Sequence, residues 1–201
     1  MKPIETTTRD WIIEQSAILF NTKGYFACSL SDIMQATHLQ KGGIYNYFRN
    51  KEEIALAAFD YAFQLVMRRF RSQLDQATSC WEKLNIIIDQ LASMAFDPVI
   101  AGGCPIFNVS VEAPRLDPAL MEKAKHGMQM LTRYIELKLE EGALHGEVTC
   151  QKPYREIASV IVGNLEGANI VARTLQDPDR LHWAVDHTRE YLKLNCLRIN
   201  F

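Results

Sequence analysis

Apolar residues recur along this chain with a period near 3.6, and polar or turn-forming residues break the pattern at intervals. Trp11, Ile12, Ala17, Ile18, Leu19 and Phe20 predict a first helix from about Thr8. Thr7 or Thr8 can cap it, and Gly24 closes it. Ser29 with Asp32 forms a capping-box pattern, with Asp in place of the usual Glu, ahead of a short helix ending near Thr37. The next helix opens at Leu39 or Gln40 and ends near Tyr47. Asn50-Lys-Glu-Glu53 repeats the N-cap pattern, and Ile54, Ala57, Ala58, Tyr61, Ala62, Leu65, Val66 and Phe70 carry the stripe of a long helix.

Beyond it, helices are expected from about Ser79 to Phe96 and from Ile106 to Ala113, with Asp97–Pro105 as a loop broken by Gly102-Gly103 and two prolines. Pro114-Arg-Leu-Asp-Pro118 turns the chain. Asp117 then caps a helix with Pro118 at its first position and Gly142 at its end. Residues 142–153 read as a polar connection, and two last helices span about Tyr154–Leu175 and Asp177–Leu197. No segment alternates as a strand does, and no internal repeat is present. The expected fold is all-α, with about nine helices: an N-terminal three-helix domain over residues 1–53 containing a helix-turn-helix, and a larger helical domain over 54–201.

Composition narrows the function. With 48% hydrophobic residues in 201, the chain can bury a substantial core. Its net charge of −2 excludes a protein that coats nucleic acid by bulk basicity. A local basic face survives, because residues 37–51 hold Lys41, Arg49 and Lys51 and no acid. Five scattered cysteines, none in a Cys-x-x-Cys pair, give neither a disulfide framework nor a zinc site. The histidines lack metal-ligand spacing, and no phosphate loop or nucleophile elbow occurs. Catalysis, a metal and a cofactor are therefore not expected. The polar N-terminus lacks a signal peptide's apolar core, and no apolar run is long enough to span a bilayer, so a cytoplasmic protein without a membrane partner is expected.

Within the helix-turn-helix, Ile44 and Phe48 lie four residues apart and face inward with Phe20, Ile33 and Leu39. That leaves Gln40, Lys41, Gly42, Gly43, Tyr45, Asn46 and Tyr47 outward or flanking. The two glycines are poor helix formers, and they suit a close backbone approach to a groove. Asn46 suits adenine, and Lys41 suits guanine or phosphate. Tyr45 and Tyr47 suit phosphate, sugar or thymine methyl contacts. Lys51 at a helix start suits a phosphate. The same aromatic residues at this spacing also suit a plain core.

Ala17-x-x-Phe20, Lys23-Gly-Tyr25, Ser29-x-x-Asp32-Ile33 and Lys41-Gly-Gly-Ile-Tyr-x-Tyr-Phe48 with Asn50-Lys51-Glu52 resemble the N-terminal domain of the TetR/AcrR family of transcriptional regulators. The resemblance covers residues of about 8 to 54. It implies DNA-facing positions at Ser29, Ser31, Lys41, Gly43, Tyr45, Tyr47 and Lys51, and an effector-binding and dimerisation domain beyond. Two positions depart from the family pattern. His38 stands where Gly or Ala is usual, at a turn that can require a left-handed backbone, and Gln40 stands where a Ser cap is usual.

In the second domain, Ser159, Gly163 and Gly167 form a small-residue stripe. With Trp183 and Tyr191 of the last helix, the stripe suggests a homodimer interface, or else an intramolecular helix contact. Phe63, Met67, Met94, Cys104, Phe107, Asn108, Glu112 and Tyr134 are candidates for an effector pocket, or for core. Cys104, in a Gly-Cys-Pro sequence near a helix start, is either a reactive electrophile or redox sensor or a buried structural thiol. The expected function is a dimeric repressor that leaves a palindromic operator when a small molecule binds. The alternatives are an activator, an adaptor that keeps only the fold, and the Cys104 sensor.

Overall fold

A computed structural model describes residues 7–112 and 117–198. Among them are nine helices and two short strands: α1 Thr8–Lys23, α2 Leu30–Thr37, α3 Lys41–Tyr45, α4 Lys51–Leu74, α5 Cys80–Ser93, α6 Pro105–Glu112, α7 Pro118–Leu144, β1 Val148–Cys150, α8 Tyr154–Leu175, α9 Asp179–Asn195 and β2 Cys196–Arg198. The expected turn over Pro114–Leu116, the Ala113 helix end and the first six residues lie outside the described residues. The all-α reading holds. The strands form only a three-residue antiparallel ribbon, too short for alternation to show in the sequence.

The chain folds as two compact units. The first comprises residues up to 66 and 99–127, and the second comprises 67–98 and the chain from 128 onward. Both α4 and α7 therefore begin in one unit and end in the other.

The first unit is built on the expected caps. Thr7 caps α1 in a reciprocal box with Asp10, and Ser29 caps α2 in another with Asp32. Its core gathers Ile12, Ala17, Phe20, Ile33, Ile44, Phe48, Ile54 and Phe59 with Ile100, Val109, Leu120 and Ala124. Leu39 packs against this cluster. Phe20 and Tyr25 stack at 4.7 Å, which fixes the chain as it leaves α1.

Asn21 ties the loop before α6 to α1. Its amide donates to the carbonyls of Ala101 at 2.8 Å and Gly103 at 2.9 Å. The Asn108 amide donates to Asn21 Oδ1 at 2.9 Å and to the Gly102 carbonyl at 3.0 Å. Gly102 has φ +103°, and a Cβ there would run into the Asn21 carbonyl, so both backbone geometry and space demand glycine. One turn further along α6, Glu112 accepts from the Phe26 N–H at 3.2 Å.

In the second unit, α8 and α9 pack on each other and both lie against α5. Polar ties set their register. Asn164 donates to Thr188 at 2.7 Å, Asn169 donates to the Leu91 carbonyl at 2.8 Å, and Arg189 pairs with Asp89 at 2.6 Å. Ser79 caps α5 in a box with Glu82; in the first unit, Asp117 accepts from the Ala119 N–H at 2.8 Å to start α7.

Several boundaries differ from expectation. Helix α3 ends at Tyr45 rather than Tyr47, because Gly42 and Gly43 weaken it and the Tyr47 N–H closes a tighter turn on the Ile44 carbonyl at 3.0 Å. Helix α5 ends at Ser93 rather than Phe96, in a turn of similar tightness. Helix α7 runs through Gly142 to Leu144. A side chain at Gly142 would collide with Cys80, so this glycine serves close packing rather than a cap. Helix α9 stops at Asn195, where Cys196 turns to extended backbone and enters β2.

Candidate nucleic-acid interface

Helices α2 and α3, with the turn between them, form the helix-turn-helix. His38 sits in the turn at φ 59°, ψ 26°, the left-handed conformation that the position demands. The Thr37 hydroxyl bonds back to the Ile33 carbonyl at 2.7 Å, and the Trp11 indole donates to the Thr37 carbonyl at 3.3 Å. A side chain of α1 thus fixes the end of α2 just before the turn. Gln40 occupies the N-cap position of α3 and makes no side-chain cap bond, as its poor capping chemistry predicts.

Ile44 and Phe48 are fully buried, which points the opposite side of α3 outward. Ser31, Gln40, Lys41, Gly42, Asn46 and the neighbouring Ser29 are exposed, and Gly43 is half-buried. Tyr45 and Tyr47 are 41% and 43% exposed, a large fraction for aromatic side chains in so small a unit. Lys41 lies 5.6 Å from the centre of the Tyr45 ring, so the two share one face of the helix. Among the described residues nothing beyond the helix's own adjoining backbone comes within 4 Å of a Cβ built at Gly42, leaving its backbone open to a close approach.

Two candidates are partly committed to holding the fold. The Ser29 hydroxyl accepts from the Asp32 N–H at 3.2 Å and donates to Asp32 Oδ2 at 2.8 Å. Asp32 in turn pairs with Lys23 at 2.7 Å. The Lys23 ammonium first, and the Ser29 N–H next, hold the Asp32 carboxyl well below its ordinary range. Lys51 is half-buried, and its ammonium donates to the carbonyls of Tyr25 at 3.0 Å and Cys28 at 2.8 Å. It clasps the α1–α2 connection to the start of α4, with one N–H left to give. Asn50 caps α4 as expected, accepting from the Glu53 N–H at 2.9 Å. Glu53 reaches the Arg49 N–H at 2.8 Å instead of closing the box on Asn50.

Two further cations stand beside these residues. Arg9 lies over the Phe48 ring at 5.1 Å, and the Arg49 side chain is 89% exposed. The basic run around Arg49 was visible in the sequence. Nothing local marks the contacts made by Arg9 and the Trp11 indole, because their partners lie 39 and 26 residues away along the chain.

The effector candidates divide between the units. In the first, Phe63 stacks with Phe59 at 6.3 Å, Cys104 is buried, Phe107 is half-buried, and Asn108 and Glu112 are engaged with the end of α1 as described. In the second, Met67 and Met94 are buried and Tyr134 packs edge-on against Phe70. A separate open cavity of about 490 Å³ in the second unit is lined by Gln73, Trp81, Asn85 and Asp89 among others, and by none of the eight candidates. Among the proposed interface residues, Ser159, Gly163, Gly167 and Trp183 are exposed and Tyr191 is half-buried.

A capped helix, a tight left-handed turn and a short helix with an exposed Lys-Tyr-Asn-Tyr face define a helix-turn-helix DNA-binding protein. Residues 12–58 match the family described as bacterial regulatory proteins, tetR family, and residues 80–188 match the tetracyclin repressor-like C-terminal domain. The chain belongs to the TetR family, and is a non-enzymatic DNA-binding transcriptional regulator. It is 35% identical to a TetR transcriptional regulator of Chloroflexus aurantiacus, whose crystal structure superposes with a TM-score of 0.91 over 96% of this chain and 97% of that one. An HTH-type transcriptional regulator of Mycobacterium tuberculosis is 26% identical over 84% of this chain and 86% of its own length. The Escherichia coli repressor NemR is 21% identical over 95% and 96%. No helix is long and apolar enough to cross a membrane among the described residues.

Proposed function

We propose that this chain acts in the cytoplasm as a homodimeric repressor that grips a palindromic operator and lets go when a small molecule binds. One observation carries the dimer. The α8 stripe of Ser159, Gly163 and Gly167 is exposed, and among the described residues nothing beyond the helix's own adjoining backbone comes within 4 Å of a Cβ built at either glycine. Val160, Ile170, Val171 and Trp183 are exposed on the same pair of helices. An intramolecular contact would have filled the space over the glycines. A second copy of α8 and α9 fits it, and two copies related by a twofold axis match a two-half-site operator.

Operator contact falls to Lys41, Gly42, Gly43, Tyr45, Asn46 and Tyr47, with Ser29, Ser31, Gln40 and Lys51 at its margin. Residues 1–53 carry this contact, and residues 54–201 carry effector binding and dimerisation. Repression is favoured over activation by the relative NemR, a named repressor. Release follows if the effector binds one spacing of the two recognition helices better than the other, with α4 as the covalent link from the DNA-binding helices. Coupling of this kind changes affinity by about 5–150-fold.

The test is binding of the purified protein to DNA from its own upstream region, against scrambled DNA, at several salt concentrations. Tight, selective and salt-dependent binding by a dimer is expected, and the same assay then screens effectors. Equal, weak binding to both DNAs overturns the reading.

A further inference from the structure

The β1–β2 ribbon sets two thiols directly opposite each other. Cys150 and Cys196 are paired across the antiparallel strands. The Gln151 N–H bonds to the Asn195 carbonyl at 2.8 Å, which makes the neighbouring 151–195 pair a hydrogen-bonded one. Alternation along the ladder then makes Cys150–Cys196 a non-hydrogen-bonded pair, the position where facing side chains come closest, with Cα atoms about 4.5 Å apart. A disulfide spans Cα separations from about 4.4 to 6.8 Å, so the bridge forms with only a small adjustment. Both cysteines are free thiols. Cys150 is partly exposed, while Cys196 is buried.

We propose that Cys150 and Cys196 form a redox modification site, a dithiol that a small hydroperoxide converts reversibly to an intrachain disulfide. Cys150, the partly exposed thiol, meets the peroxide, and the buried Cys196 beside it resolves the product, which assigns the two roles. Cys150 attacks one peroxide oxygen. A sulfur–oxygen bond forms, the oxygen–oxygen bond breaks, and the departing hydroxide takes up the proton lost from Cys150. Cys196 then attacks the sulfenic sulfur. The sulfur–sulfur bond forms, the sulfur–oxygen bond breaks, and the Cys196 proton leaves with the hydroxyl as water. Two thiols and one hydrogen peroxide give one disulfide and two waters, with the two electrons passing from sulfur to peroxide.

Cys80 is the neighbouring thiol that must be set aside. It is buried, its S–H is donated to the Lys138 carbonyl at 3.1 Å, and burial first and Glu147 next push its pKa up to about 12. It is a poor nucleophile against peroxide. The bridge closes a loop that contains all of α8 and α9, so it restricts the unfolded chain and raises thermal stability.

The experiment treats the full-length protein with hydrogen peroxide and maps the products by non-reducing peptide mass spectrometry, with thermal melts alongside. Expected are a loss of two hydrogens located to the Cys150–Cys196 peptide pair, a Tm higher by about 5–10 °C, and reversal of both by dithiothreitol. Cys150→Ser and Cys196→Ala each abolish the bridge and the Tm shift, while Cys80→Ala preserves them. A disulfide mapped to Cys80 or Cys104 overturns the proposal. So does a link between two chains, oxidation that stops at sulfinic acid on Cys150, or no reaction under conditions that oxidise a free thiol.

Discussion

Lys51→Met keeps most of the aliphatic stem and removes the ammonium that clasps Tyr25 and Cys28. Each hydrogen bond from a charged donor is worth about 1.5–3 kcal/mol when its removal strands the acceptor. Lys51 is only half-buried, so water reaches the two carbonyls once the ammonium is gone. The net cost falls to about 2 kcal/mol. For a chain of this length that lowers the Tm by about 4–8 °C, read by circular dichroism at 222 nm. The remaining N–H points to a second effect. If it meets a phosphate, the slope of log affinity against log salt flattens by about 0.9 per protomer, or about 1.8 for a dimer. A Lys51→Met protein that melts with the wild type refutes the clasp. One that melts lower yet keeps its salt slope assigns Lys51 to the turn alone and removes it from the DNA contact.

Asn21→Ala strands two backbone carbonyls and the Asn108 amide, and a loss of about 2–4 kcal/mol is expected by denaturant titration; a loss below about 1 kcal/mol would contradict the role given to this knot. Asp32 titrates lower in the folded chain than its ordinary value of 3.8, so its contribution is complete above that pH and fades as pH falls toward the folded value. The Tm gap between wild type and Asp32→Asn should therefore be widest near neutrality and narrow below about pH 4; a gap that stays constant across a pH series argues against the Lys23 and Ser29 pairing. Gly163→Glu sits in open space within one chain, so the fold should persist while dimer affinity drops about tenfold or more in sedimentation equilibrium. An unchanged dimer would move the interface elsewhere. Tyr47→Ala should weaken DNA binding at every sequence, whereas Lys41→Ala should also alter sequence preference; unchanged binding in both removes α3 from the groove.

The helices were legible because their signals are local. Ser29 with Asp32 and Asn50 ahead of Glu53 write their caps within four residues, Thr7 or Thr8 offers one for α1, and the buried pair Ile44 and Phe48 fixes which side of α3 faces out. What escaped was long-range. In the sequence Asn108 and Glu112 read as polar interruptions of an apolar run, candidates for a pocket or for core. Their partners at Asn21 and Phe26 lie more than 80 residues earlier, and nothing in the spacing of either segment points to the other. The β1–β2 ribbon leaves no sequence signal for a different reason. Three residues per strand are too few to establish a period, and its pairing joins segments that flank two whole helices.

The knot around Asn21 bears on how such regulators can be recombined. A chimera that transplants the DNA-reading end of this chain onto another scaffold, cutting soon after α3, would carry Asn21 without Asn108 and Gly24 without the Glu112 carboxylate beside it. The transplanted piece would also lack Ile100, Val109, Leu120 and Ala124, which complete its core. The transferable cassette is discontinuous, and it must bring residues 99–127 along with the first 66. A hybrid built on that double segment keeps its reading head intact, whereas a single crossover leaves it with an open seam.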